Sequence, residues 1–257
     1  MSELKPMDTL IFVENMLCIY RNYSSFNKKM KTVVLLRIIV EMFCYSIVVI
    51  IHYLYVINYF KSNSTNSLII IAFTTLCIVY SFLCVFNGVW QNDSFKKLHH
   101  AFLDAHNIFK NDISCKVYFH NLNTCVTFGS VFSFIFTIID FFGDKLTLNG
   151  DIQITVINGL ITSMGIFTEY RYLIEYMSYF ILVMILNKLM KCFNSLLKDT
   201  QKKITEIIIF DGTVTDQINL KMIDEWYVIY GYLEKSSKEF KKCFGAQVIL
   251  LASLPSI

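Results

Sequence analysis

Residues 68–90 read LIIIAFTTLCIVYSFLCVFNGVW, 23 residues without one formal charge. At about 1.5 Å per residue a helix of this length crosses a hydrocarbon core roughly 30 Å thick. Trp90 closes the stretch where indole rings settle at a bilayer interface. Three further apolar runs flank it, residues 33–60, 124–143 and 152–173. The cations between the runs are sorted. With the N-terminus placed inside the cell, 19 of the 23 Lys and Arg residues fall on that side. They are Lys5, Arg21, Lys28, Lys29 and Lys31, then Lys96, Lys97, Lys110 and Lys116, then ten lysines from Lys188 to Lys242. Only Lys61 and Lys145 fall outside, and Arg37 and Arg171 lie within runs. Carrying a cation across a bilayer is unfavourable, so this split sets orientation. The sequence predicts an all-α, multi-pass membrane bundle in the cell membrane, N-terminus cytoplasmic.

Composition agrees. Charged residues make up 17% of the chain, where a soluble domain carries about 25%. Two prolines in 257 residues favour long helices. The lysines suit loops against an anionic leaflet and not a nucleic-acid groove. The eight cysteines show no pairing pattern and read as small buried apolar residues, so neither a disulfide framework nor a metal site is expected. His99, His100, His106 and His120 lack carboxylate or cysteine partners at ligand spacing and read as packing or solvated residues.

Along the chain, residues 1–32 form a cytoplasmic arm. Within it Met7–Tyr20 either lies on the membrane surface or packs loosely as a cytoplasmic helix. Arg37 and Glu41 are four apart and expected to pair, as are Arg171 and Glu175. Residues 33–190 hold the bundle, with four full spans. Span two is followed by an amphipathic segment, in which Phe95, Leu98, Phe102 and His106 recur at helical spacing. Asp140 sits near the outer end of span three, either in a vestibule or at the interface. Residues 152–190 are too long for one crossing and too short for two, so the fourth span is expected to continue into the cytoplasm as a helix. Residues 191–243 form a cytoplasmic loop, assigned to 199–217, and an amphipathic helix. Met222, Trp226, Ile229, Leu233, Ser236 and Phe240 step by 4, 3, 4, 3, 4, a stripe expected to pack on the extension of span four around Phe180 and Leu186. Residues 244–257 begin a fifth, incomplete span. The chain is expected to be a fragment or a truncated product, and therefore to carry no ligand-gated current alone.

No enzyme constellation is present. There is no glycine-rich phosphate loop, no paired histidines with a glutamate and no nucleophile elbow. Asp140 and Glu169 fall in opposite halves of the membrane. No cofactor is implied.

The layout resembles the insect gustatory receptors, relatives of the insect odorant receptors. The residues that carry the likeness are Glu169-Tyr170-Arg171-Tyr172, Phe180, Leu186-Asn187-Lys188-Leu189, then Trp226, Tyr230, Leu233 and Phe240, leading into Phe244-Gly245-Ala246-Gln247-Val248-Ile249-Leu250-Leu251. The resemblance implies a taste receptor, one subunit of a homo- or hetero-tetrameric, ligand-gated cation channel that binds a small organic tastant in the outer half of its bundle. The family's signature in the seventh helix lies outside this sequence. From orientation alone, the outer halves of spans two to four offer Phe73, Thr75, Tyr80, Phe134, Asp140, Asn158 and Thr162, a mixed aromatic and polar lining that suits such a ligand. The alternatives are an odorant receptor of the same superfamily and a non-conducting membrane protein that modulates full-length subunits.

Overall fold

The computed structural model describes residues 4–60, 79–80, 82–148, 156–211 and 216–253. Among them every regular element is a helix. In chain order these are α1 (Lys5–Met16), a 3₁₀ turn (Tyr23–Ser25), α2 (Lys28–Phe60), α3 (residues 82–90), α4 (Asn92–Phe109), α5 (Ile113–Leu148), α6 (Val156–Asp211) and α7 (Asp216–Ser253). Span two lies mostly outside the described residues.

α6 is 56 residues long and unbroken, about 84 Å of helix. The loop expected over residues 199–217 is therefore helix as far as Asp211. Its sequence explains the correction. Lys198, Gln201, Lys202, Lys203 and Glu206 are straight-chain helix formers, and the Thr200 and Thr205 hydroxyls donate back to the carbonyls of Leu196 and Gln201.

α1 is not loosely packed: one face is buried against protein, while Phe12 and Met16 stay exposed. Met7, Leu10 and Glu14 recur at three- and four-residue spacing and are all buried, in the main core with Phe119, Leu122 and Val126 of α5 and Leu182 and Ile185 of α6. Thr9 fixes the register, donating to Asn123 Oδ1 at 2.7 Å. The apolar stripe of α1 is covered by protein.

α4 brings Phe95, Leu98, Ala101, Phe102, Ala105 and Phe109 to one buried face. Its main partner is α7, which contacts α6 less extensively. The stripe of α7 thus faces α4 first and the extension of α6 second. Ile229, Leu233 and Ser236 are buried, and Trp226 and Phe240 half-buried. Phe240 stacks on Phe244 at 5.2 Å and tilts against Tyr179 of α6 at 5.5 Å. Asn87 of α3 donates to the Cys243 carbonyl at 3.3 Å. At Gly88 an added Cβ would stand 3.1 Å from the Tyr20 backbone nitrogen, so glycine lets the end of the arm lie directly on α3.

The outer faces invert the usual polarity. On α5, Phe128, Val131, Phe132, Ile135, Phe136 and Ile139 are exposed along one side. On α2 so are Val33, Leu36, Val40 and Phe43. Water does not tolerate a contiguous apolar surface of this kind, whereas lipid does. By length and composition Ile113–Ile139 and Gly165–Glu206 are long and apolar enough to cross a bilayer.

Candidate functional site

Among the described residues, a cluster of buried charged and polar side chains lies where the arm meets α6. α6 turns Arg171, Ile174, Glu175 and Ser178 to one face, at spacings of three, one and three residues. All four are buried. Arg171 Nε donates to the Leu17 carbonyl at 2.9 Å, and its Nη2 donates to the Glu41 carboxylate of α2. The guanidinium also lies over the rings of Phe167 and Tyr45. The Tyr45 hydroxyl meets Thr168 Oγ1 at 2.6 Å.

One turn further along α6, Glu175 accepts from Arg21 Nη2 at 2.5 Å. Arg21 Nε donates to Glu14 Oε1 at 3.1 Å, and the Ser178 hydroxyl donates to the same oxygen at 2.7 Å. Burial works against the charge on Arg21, but the carboxylates of Glu175 and Glu14 outweigh it and hold the guanidinium above the ordinary arginine range. Arg21 also sits over the Phe244 ring at 4.6 Å, which ties α7 to the same knot.

The arm reaches this position because α1 stops sharply. Cys18 adopts φ 61°, the left-handed conformation that glycine usually supplies just after a helix. The Leu17 and Ile19 amides both donate to the Glu14 carbonyl at 2.9 Å. Arg37 of α2 caps the end, donating to the Met16 carbonyl at 2.6 Å and to Asn15 at 3.5 Å. Burial pushes the Cys18 thiol up to about 12, so it is a neutral packing group.

The charged residues expected to pair within single helices also take partners across the molecule. Arg37 turns to α1 and Glu41 to Arg171. Arg171 takes Glu41 and Leu17, and Glu175 takes Arg21. Four-residue spacing brings side chains of one helix together, whereas here the arm and the neighbouring helix offer further partners: the arm to Arg37, Arg171 and Glu175, and α6 to Glu41. Sequence reasoning missed Glu14, Arg21 and Ser178. The signal for Glu14 was its place after Met7 and Leu10 on the buried face of α1.

Of the ligand candidates, Phe73 and Thr75 lie outside the described residues, as do the side chains of Asp140, Asn158 and Thr162. Tyr80 is buried, edge-on to Tyr172 at 5.5 Å. Phe134 is half exposed, edge-on to Tyr170 at 5.3 Å. Residues two apart on a helix point about 200° from each other. These two contacts therefore fall on opposite flanks of α6. Of the packing candidates, Ile229 and Leu233 are buried, Leu186, Trp226 and Phe240 are half-buried, Phe180 rests on Tyr176 at 4.8 Å, and the Met222 side chain lies outside the described residues. Among the described residues no group of three or more His, Cys, Asp or Glu gathers as a metal site.

Ionic groups held inside and phenylalanines turned outward describe a protein solvated by lipid. The family model of the 7tm chemosensory receptors matches residues 16–254. No curated protein and no solved structure matches the chain. That match takes in all of α2 to α7 and the end of the arm, and it points to a receptor in a membrane and not to an enzyme: the chain belongs to the 7tm chemosensory receptor family.

Proposed function

We propose that the chain is a gustatory receptor subunit of a ligand-gated cation channel in the cell membrane. Its N-terminus is cytoplasmic, its partners are further subunits of the same kind in a tetramer, and its ligand is a small organic tastant. The family supplies the chemoreceptor role. The gustatory reading is supported by the stretch Trp226…Phe240 leading into Phe244-Gly245-Ala246-Gln247. The observation that carries the channel reading is the continuous α6, which runs on well past a bilayer's thickness and packs there against α4 and α7. Such a platform links the part of a helix that meets ligand to the part that meets other subunits. The lysine asymmetry supports the orientation. The ligand pocket is assigned to the outer halves of the helices; Tyr80 and Phe134 lie deeper, each leaning on a tyrosine of α6 beside Glu169 and Arg171, towards the inner end of the fourth span.

Whole-cell recording from cells that express this chain together with full-length subunits of the same family, compared with those subunits alone, tests this, since the chain by itself is expected to carry no ligand-gated current. Sugars, bitter compounds and volatile odorants are applied in turn. An inward cation current evoked by tastants and not by volatiles is the expected result. Current evoked by volatiles alone places the chain in the odorant branch. A response that requires a G protein and carries no direct current removes the channel reading.

A further inference from the structure

Beside the knot, and separate from the proposed tastant pocket, a hollow of about 380 Å³ opens between the 3₁₀ turn, α1 and α4. Its rim carries Lys96, His99 and His100 from α4, Asn22 and Ser24 from the turn, and Asp8 from α1. Three polar atoms here are buried without a hydrogen-bond partner: Asn22 Oδ1, Ser24 Oγ and His99 Nε2. His99 Nε2 stands 3.8 Å from Asp8 Oδ1, too far for a hydrogen bond. A buried polar atom without a partner is costly, and three around one hollow mark a place that something else completes.

The donor set says what. A hydroxyl, an imidazole N–H and an ammonium converge. The Asn22 amide, turned over, adds an N–H₂, since amide oxygen and nitrogen are exchangeable by rotation. Arg21, which also borders the hollow, already serves Glu14 and Glu175. The surroundings add positive charge, for Lys28, Lys29 and Lys31 open α2, and Lys31 Nζ lies 5.5 Å over the Tyr23 ring beside Ser24. Burial lowers the His99 imidazole below its ordinary range, and the neighbouring His100 lowers it further. An anion in the hollow would reverse that and hold the proton on Nε2.

We propose that this hollow binds a phosphate-type oxyanion, with Lys96, His99 and Ser24 as its principal ligands. The anion is either the phosphate of a lipid headgroup or a soluble phosphate. Headgroup phosphates line both faces of a bilayer, so the assignment does not depend on the orientation of the chain. The facing charges set its pH response. Lys96, His100, Arg21 and Asp8 also face the hollow, and His99, lowered by burial and by His100, loses its proton as pH rises. Affinity therefore falls as pH rises through the histidine range.

The experiment uses the whole protein in nanodiscs of phosphatidylcholine, with or without phosphatidic acid, and titrates inorganic phosphate into the discs of phosphatidylcholine alone. The readouts are the imidazole NMR signal of His99 and the melting temperature. Phosphatidic acid that shifts the His99 signal, with no response to inorganic phosphate, identifies a headgroup. A response to inorganic phosphate identifies a soluble ligand. In either case Lys96→Gln is expected to weaken binding about tenfold, as for loss of one charge-assisted contact. Ser24→Ala weakens it less, and Lys241→Gln, exposed on α7 and not bordering the hollow, leaves it unchanged. Lys96 is exposed, so its variant retains the fold. No response to either phosphate, or an equal loss in Lys241→Gln, overturns the proposal.

Discussion

The contact between the arm and α6 and the outer face of α5 are opposite solutions to the same solvent. At the first, Glu14, Arg21, Glu41, Arg171 and Glu175 are all buried. At the second, Phe128, Phe132 and Phe136 are exposed. In a water-soluble protein the two sets would trade places. Their inversion teaches that the bundle is organised by what lipid rejects. Charges gather where the arm, α2 and α6 bring opposite signs together, and apolar rings are left for the acyl chains. An isolated charge in such an interior costs far more than a matched one, so the knot fixes how the arm docks rather than adding much net stability.

The largest effect should come from breaking the knot. Arg171→Ala strands Glu41 and the Leu17 carbonyl, and about 3–5 kcal/mol of stability should go with it. Thermal unfolding of the detergent-purified protein checks this. Arg21→Met should cost a similar amount, but adding Glu14→Gln and Glu175→Gln should recover much of it, because the neutral trio leaves no unpaired charge. A triple variant no better than Arg21→Met would show that packing around Arg21, and not its charge, matters.

Ordinary packing comes next. Leu98→Ala empties a fully buried site where α4 supports α7 and should cost about 2–5 kcal/mol. On the other side of the comparison, Phe132→Leu on the outer face of α5 should move stability by less than about 0.5 kcal/mol. A large loss there would mean that protein covers that face.

The pH response should be smaller than the core effects. Burial lowers both His99 and His106 in the folded chain, so the folded state binds fewer protons than the unfolded one. Their contribution is therefore full above the ordinary histidine range and declines as pH falls through it. A melting temperature that drops on acidification, less so in His106→Gln, is the expected record.

Much of the scaffold was legible in the sequence. The stripe on α7 and the continuation of α6 follow from spacing and length alone, because helix periodicity is local. The partners of the charged residues were not legible. Arg21 meets Glu175 and Leu17 meets Arg171 across 154 residues each, and nothing in the spacing of either segment encodes the other. The same holds for the ligand candidates. Orientation put Tyr80 and Phe134 in one half of the membrane, but the choice of helix flank depends on how α3 and α5 pack around α6. The burial of α1 was half legible. Met7, Leu10 and Glu14 keep the helical period, but the partners that let Glu14 be buried there, Arg21 and Ser178, come from outside α1.

The most direct test of the lipid-inverted bundle is photolabelling in proteoliposomes. A carbene precursor dissolved in the acyl chains is activated, and labelled residues are mapped by mass spectrometry. The structure predicts label on Leu36, Phe43, Phe128, Phe132 and Ile139, and none on Met7, Leu98, Leu182 or Ile185. Unlabelled α5 phenylalanines, with label appearing on α1 or α4 instead, would contradict it.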